Sequence, residues 1–157
     1  MKIIAHRANL NGSNPIIENT IREINKCIEY GYDVEIDVRV IEDEIFLGHN
    51  SAENIIKINE INEISEYLWI HCKNLKALEY FSQDQRKNIY NFFWHDKDEY
   101  TLTSKGYIWS YPGSELSINS VCVMPEWSIE KENLNDLTAK KIYGICTDYP
   151  ELLKVKN

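Results

Sequence analysis

Glu35 and Asp37 stand two residues apart in the run Val34-Glu35-Ile36-Asp37-Val38. Side chains alternate along a strand, so the two acids share one face while Val34, Ile36 and Val38 share the other. The apolar face can pack on helices. Unpaired carboxylates on a buried face would cost several kcal/mol or take up protons, so the fold must bring a positive partner to them: a metal ion, an arginine or a lysine. The candidates on other strand-like segments are His6-Arg7, His49, His71 and Lys73.

Regular elements are needed to bring these residues together. Ile3 to Arg7 reads as a first strand ending in a cationic pair, followed by a polar loop over 8–15. Thr20 with Glu23 has the capping-box pattern, Ile21, Ile24, Cys27 and Ile28 make one apolar helical face, and Gly31 supplies the stop. The acidic strand, 33–40, comes next. Strand, helix, strand in this order is the signature of a parallel unit.

After a turn at 42–44, Ile45-Phe46-Leu47 reads as a short strand returning to Gly48-His49-Asn50. Ile55, Ile58, Ile61, Ile64 and Leu68 recur at helical spacing and predict a helix over much of 59–67. Strands are expected at 68–73, 89–94, 106–111, 120–124 and 142–148, with helices at 75–81 and 133–141 and a terminal helix starting at Pro150. In the third main strand Trp69, His71 and Lys73 share a face. Only 114–119 separates two of the later strands, too short for a full crossover helix.

With 157 residues the chain is long enough for one domain with a core, and 1–157 is read as a single α/β domain. A composition of 43% hydrophobic and 27% charged residues excludes disorder as a class. The net charge of −8 argues against nucleic-acid binding, which needs a basic footprint. It leaves room for an anionic substrate, because a metal or a few cations reverse the field locally. The start of the chain is too short in apolar residues for a signal peptide, and no run reaches the length of a membrane span. Cys27, Cys72, Cys122 and Cys146 form no CxxC pair and read as reduced, buried thiols. A cytoplasmic protein is expected.

Six short motifs, taken in order, carry a resemblance: Ile3-Ile4-Ala5-His6-Arg7, Glu18-Asn19-Thr20, Glu35-Ile36-Asp37-Val38, Gly48-His49, Lys73, and Thr147-Asp148-Tyr149-Pro150. Together they resemble the glycerophosphodiester phosphodiesterases, whose pattern runs HRG, PENT, EIDV, HD, ExK and TDYP. The likeness is clear over 1–50, extends to Lys73 and returns at 143–153; 90–130 carries no motif of the family. The resemblance implies a TIM (β/α) barrel of the PLC-like phosphodiesterase type, with its site at the C-terminal ends of the strands. A full barrel usually takes at least about 200 residues, so a reduced or incomplete barrel is expected here.

The resemblance further implies a metal-dependent phosphodiester hydrolase that cleaves a glycerophosphodiester-like small molecule to a phosphomonoester and an alcohol. Glu35 and Asp37 would hold a divalent ion, Mg²⁺ or Ca²⁺ by their hard oxygen ligands. His6 and His49 would be general acid and base, Arg7 and Lys73 would bind the phosphate, and Glu18 would orient Arg7 or help the metal. Three positions depart from the pattern: Ala8 replaces Gly, Asn50 replaces Asp, and His71 stands where the family carries a metal-binding Glu. Imidazole in that place favours a softer ion such as Mn²⁺ or Zn²⁺, or makes His71 a third proton carrier. His95 and Glu126 are further candidates by placement, Glu126 being suited also to a structural role, and Trp109 is suited either to stack on a substrate or to a core. Two other functions fit the same residues: an inactive barrel that keeps a phosphate-binding pocket, and a lyase that stops at a cyclic phosphate.

Overall fold

The computed structural model describes residues 1–153. In chain order the elements begin with β1 (Lys2–His6), α1 (Ile21–Glu29), β2 (Asp33–Ile41), β3 (Glu44–Leu47), β4 (Asn54–Ile56), α2 (Ile58–Asn62), β5 (Leu68–Cys72) and α3 (Leu75–Ser82). They continue with β6 (Asn91–Phe93), β7 (Tyr100–Leu102), β8 (Ile108–Ser110), β9 (Ser120–Val123) and β10 (Gly144–Thr147), with short 3₁₀ segments at Ser65–Tyr67, Pro125–Trp127, Lys131–Ala139 and Pro150–Leu152.

Parallel pairing runs β6-β5-β2-β1-β10-β9-β8, an incomplete (β/α) barrel as the sequence predicts. β3 and β4 are antiparallel additions beyond the end of β2, and β7 is an antiparallel flap on β8. The curled sheet is not closed by a ladder between β6 and β8. A single residue of the intervening loop does part of that work: the Ser104 backbone N–H donates to the Phe92 carbonyl at 2.8 Å, and the Phe92 N–H donates to the Ser104 hydroxyl at 3.0 Å.

The alternation of β2 is as expected. Val34, Ile36, Val38 and Val40 pack outward with Ile24 and Cys27 of α1 and Ala77 and Phe81 of α3. The inward face carries Glu35 and Asp37, which are 1% and 0% exposed. Inside the barrel Ile4, Trp69, Phe93, Trp109, Val121, Val123, Met124 and Cys146 form a second apolar cluster beneath the acids. α1 starts where expected: Thr20 is the N-cap, its side chain accepting from the Glu23 N–H, and Gly31 follows the helix end at φ +87°.

Several elements differ from the sequence reading. The helix expected over 59–67 is broken into α2 and a 3₁₀ turn, because Ile55 and Ile56 belong to β4 and pair with Phe46 and Ile45 of β3. The helix expected at 133–141 is a 3₁₀ segment, Lys131–Ala139, whose buried residues Leu134 and Leu137 are three apart, the 3₁₀ repeat. β7 was not expected at all. The strands expected at 89–94, 106–111 and 142–148 are shorter at both ends, and Pro150 opens a 3₁₀ turn beyond which the chain lies outside the described residues. β8 and β9 are parallel neighbours joined without a helix, as the short 114–119 segment requires. All four cysteines are free and buried. Among the described residues, no helix is long and apolar enough to cross a membrane.

Candidate active site

The register of the parallel strands assembles the site. His6 on β1 lies beside Glu35 on β2, and Asp37 lies beside His71 on β5. The residues after the strand ends turn sharply. Arg7 and Ala8 both adopt left-handed backbone, φ 52° and 65°, a conformation costing roughly 1–2 kcal/mol per non-glycine residue and found where a site over-determines it. Ala8 thus keeps the backbone bend at the position where the motif has glycine. The bend turns the Arg7 N–H onto Glu35 Oε2 at 3.1 Å.

The cleft at this rim encloses about 290 Å³ and is lined by His6, Arg7, Glu35, His49, His71, Lys73, His95 and Trp109, with Tyr111 and Trp127 on one wall. A larger groove, about 480 Å³, lies at the β7–β8 edge, but its lining is mainly apolar and Glu115 is its one carboxylate. The titratable groups gather in the rim cleft.

Each oxygen of the acid pair has its own surroundings. Asp37 Oδ2 accepts from Asn19 Nδ2 at 3.1 Å and pairs with His49 Nδ1 at 3.1 Å; Arg7 Nε is also 3.1 Å away, close enough for an ion pair although its N–H is not aligned as a hydrogen bond. Asp37 Oδ1 is buried and has no hydrogen bond, with His71 Nδ1 at 3.3 Å and Lys73 Nζ at 3.8 Å. Glu35 Oε1 lies 3.6 Å from His71 Nδ1. Burial opposes ionisation of Asp37, but its close contacts with His49 and His71 and the charges of His71 and Arg7 outweigh it and hold its pKa well below the usual carboxylate range.

Two of the imidazoles are anchored through Nδ1 by a carboxylate: His6 by Asp148 at 2.9 Å, and His49 by Asp37. His6 Nε2 lies 3.9 Å from Glu35 Oε2. Burial lowers the pKa of His6, yet the Asp148 hydrogen bond and the charges of Glu35 and Asp148 leave it raised. His71 follows the same logic more strongly: burial works against its cation, and Asp37 and Glu35 push it up to about 9.

The other expected residues are accounted for. Arg7 Nη1 reaches Glu18 Oε1 at 3.2 Å, so Glu18 orients Arg7. The His95 carbonyl accepts from His71 Nε2 at 3.0 Å, and the His95 ring stacks on Tyr111. Trp109, 4% exposed, is a core residue packed on Phe93 and Trp69 whose edge reaches the cleft floor. Glu126 Oε1 accepts from Thr147 Oγ1 and the Asp148 N–H, both at 2.8 Å, which fixes the strand end that presents Asp148.

Four residues at the site were not singled out from the sequence as site residues. Asp148 stands in the motif Thr147-Asp148-Tyr149-Pro150 with no role assigned to it, and Asn9 Nδ2 donates to it at 2.9 Å. Asn19, at φ 54°, clamps Asp37 twice, donating through Nδ2 and accepting the Asp37 N–H at 2.9 Å. Arg39 donates to the His49 carbonyl at 2.8 Å and the Lys73 carbonyl at 3.2 Å, tying the His49 loop to the end of β5. The β2 alternation carried a signal for Arg39, which lies on the same face as Glu35 and Asp37.

Glu35, Asp37 and His71 each offer one ligand atom, and those atoms all lie within 4.8 Å of one another. Asp37 Oδ1, buried and without a hydrogen bond, is the observation that fits a divalent ion, which would give it the direct partner that His71 and Lys73, at 3.3 and 3.8 Å, do not.

No family model matches the chain. No curated protein matches its sequence. Solved structures do match. The glycerophosphodiester phosphodiesterase of Agrobacterium tumefaciens superposes with a TM-score of 0.54 over 97% of this chain and 97% of that one, at 12% identity. A Galdieria sulphuraria chain that provisionally carries the same family name gives a TM-score of 0.42 over 96% of this chain and 94% of that one, at 14% identity. The likeness is one of fold: this chain has the incomplete-barrel version of the fold seen in the Agrobacterium enzyme.

Proposed function

We propose that this protein is a phosphodiester hydrolase acting on a small glycerophosphodiester-like molecule, with His6 and His49 as general acid and base. The observation that carries the reading is the pair of imidazoles, each oriented through Nδ1 by its own carboxylate, in one cleft with Arg7, Lys73 and the acid pair. A pocket that only binds an anion has no use for two imidazoles so oriented. The fold shared with a glycerophosphodiester phosphodiesterase supports the same substrate class.

The diester enters as an anion. Arg7 and Lys73 supply positive charge at the phosphate, and Glu18 keeps the Arg7 guanidinium in place. One imidazole, neutral, takes a proton from water as its oxygen bonds to phosphorus. The other, protonated, gives its proton to the leaving oxygen as the P–O bond to the alcohol breaks. The products are a phosphomonoester and an alcohol, and the two histidines exchange protonation states. The Nδ1–carboxylate contacts hold each ring so that Nε2 is the atom that exchanges protons. Glu35, Asp37 and His71 would hold a divalent ion, which when bound neutralises phosphate charge and polarises its oxygens.

A screen of small phosphodiesters with phosphorus NMR of the products tests this. Phosphomonoester formation is expected. Accumulation of a cyclic phosphate in place of the monoester would assign a lyase, in which a neighbouring substrate hydroxyl attacks phosphorus. Tight binding of glycerol phosphate with no diester consumed would assign a phosphate-binding module.

A further inference from the structure

The sequence resemblance implies Mg²⁺ or Ca²⁺, but the donor atoms of this cleft are not those of an all-oxygen site. Glu35 and Asp37 each commit one oxygen to the protein. Glu35 Oε2 accepts the Arg7 N–H, and Asp37 Oδ2 is held by Asn19 and His49. Their other oxygens, Glu35 Oε1 and Asp37 Oδ1, both face one atom, His71 Nδ1, at 3.6 and 3.3 Å. Asp37 Oδ1 is buried without a hydrogen bond.

His71 is itself fixed for a ligand role. Its Nε2 lies 3.0 Å from the His95 carbonyl, which can only accept, so Nε2 keeps its proton and Nδ1, the nitrogen turned toward the acids, is the one that can give up a proton to become a ligand. The ring stacks on Phe93, with centroids 5.1 Å apart and planes within 14°. The stacking fixes the ring plane, and a half-turn that keeps that plane would lose the hydrogen bond to the His95 carbonyl. His71 also sits on β5 directly beside Asp37, so the two ligands come from neighbouring strands of the rigid sheet rather than from loops.

We infer that Glu35 Oε1, Asp37 Oδ1 and His71 Nδ1 form a site selective for a borderline transition-series ion of the Zn²⁺ class over Mg²⁺ and Ca²⁺. Two carboxylates and one imidazole balance a dication, and the nitrogen donor is the discriminating element. Mg²⁺ and Ca²⁺ take oxygen ligands, whereas imidazole suits Zn²⁺ and its neighbours. A set of three protein ligands is the pattern of catalytic rather than structural zinc. The inference deepens the proposed hydrolase reading and shares its site, but it concerns binding and can fail or hold separately from turnover.

The test is metal binding to the chelator-stripped protein, by calorimetry with Zn²⁺, Mn²⁺, Mg²⁺ and Ca²⁺ and by the visible spectrum of bound Co²⁺. Zn²⁺ is expected to bind at one site at least ~100-fold more tightly than Mg²⁺ or Ca²⁺. Co²⁺ should give ligand-field bands without a thiolate charge-transfer band, which separates this site from the buried cysteines. His71→Glu should weaken Zn²⁺ by at least ~10-fold and strengthen Mg²⁺, reversing the preference; Asp37→Asn should weaken both. Circular dichroism checks that the variants fold, and the wild-type selectivity and Co²⁺ spectrum decide the matter if one does not. Equal affinity for Mg²⁺ and Zn²⁺ in the wild type, a thiolate spectrum, or unchanged Zn²⁺ affinity in a folded His71→Glu would overturn the inference. Selective Zn²⁺ binding with no diester cleaved would leave it standing and remove the hydrolase reading. Diester turnover in a protein that binds none of these ions would do the reverse.

Discussion

His6 and His49 reach the cleft from different segments, yet each is presented through a carboxylate on Nδ1, Asp148 and Asp37 respectively. If both move protons in the reaction, replacing either by Ala should lower kcat by ~10²–10⁴-fold, and the double variant should be little worse than the worse single one. Steady-state kinetics on the three variants checks this; a His49→Ala protein that turns over at the wild-type rate would put the chemistry elsewhere. A second residue-scale consequence concerns stability. In the metal-free protein His71 is pushed up to about 9 from 6.5, so it favours the folded state below pH 6.5, and that contribution is lost as pH rises through 9. Asp37, held low, contributes above the usual carboxylate range and loses its contribution only as pH falls through its depressed value. Urea unfolding in chelator should therefore show stability falling between about pH 6.5 and 9, by on the order of 3 kcal/mol. In His71→Gln most of that slope should vanish, the remainder belonging to His6, which is raised in the same direction. A slope unchanged in His71→Gln would contradict the charge assignment.

At the scale of elements, the turn after β3 shows how tightly the backbone presents a side chain. Gly48 sits at φ +150°, its N–H donates to the Asp37 carbonyl, and a Cβ there would lie 2.2 Å from the Ser51 carbonyl oxygen. Gly48→Ala cannot keep this turn. It should cost about 2 kcal/mol in stability and, by displacing His49, on the order of 10²-fold in kcat; thermal unfolding and kinetics on the same sample test both parts. How far the sequence exposed its own elements follows from similar local detail. The β2 acids were legible because strand alternation is a local rule, and so was α1, whose Thr20 cap and Gly31 stop are local chemistry. Asn19, Arg39 and Asp148 were not legible as site residues, because their roles exist only once β1, β2, β5 and β10 are laid side by side. Asn19 stands in the motif Glu18-Asn19-Thr20 with no role assigned to it; its clamp on Asp37 depends on left-handed backbone that no periodicity reports. The isoleucines of 55–64 misled for a related reason. Their spacing suits a helix, yet Ile55 lies in β4 and is exposed while Ile61 is buried through α2, so the run of isoleucines crosses two different elements.

At the scale of the molecule, seven strands do the work for which a full barrel has eight, and the missing ladder falls between β6 and β8. The acid pair and its histidines lie on the intact side, where β10, β1, β2 and β5 are continuously paired. The gap is spanned by Ser104, whose hydroxyl accepts from the Phe92 N–H and donates to the Tyr90 carbonyl. Ser104→Ala should leave that N–H unpaired, lowering stability by about 1 kcal/mol, read as a lower Tm, while the cleft chemistry is untouched. A large loss of activity at unchanged Tm would mean the gap is coupled to the site.

The hydrolytic assignment itself is met most directly by turnover of a glycerophosphodiester in ¹⁸O-enriched water, read by phosphorus NMR. Water attacking phosphorus puts one ¹⁸O into the phosphomonoester, seen as an isotope-shifted resonance, and none into the alcohol. That is the expected result. An unlabelled phosphomonoester with the label in the alcohol, or a diester that stays intact, would contradict it.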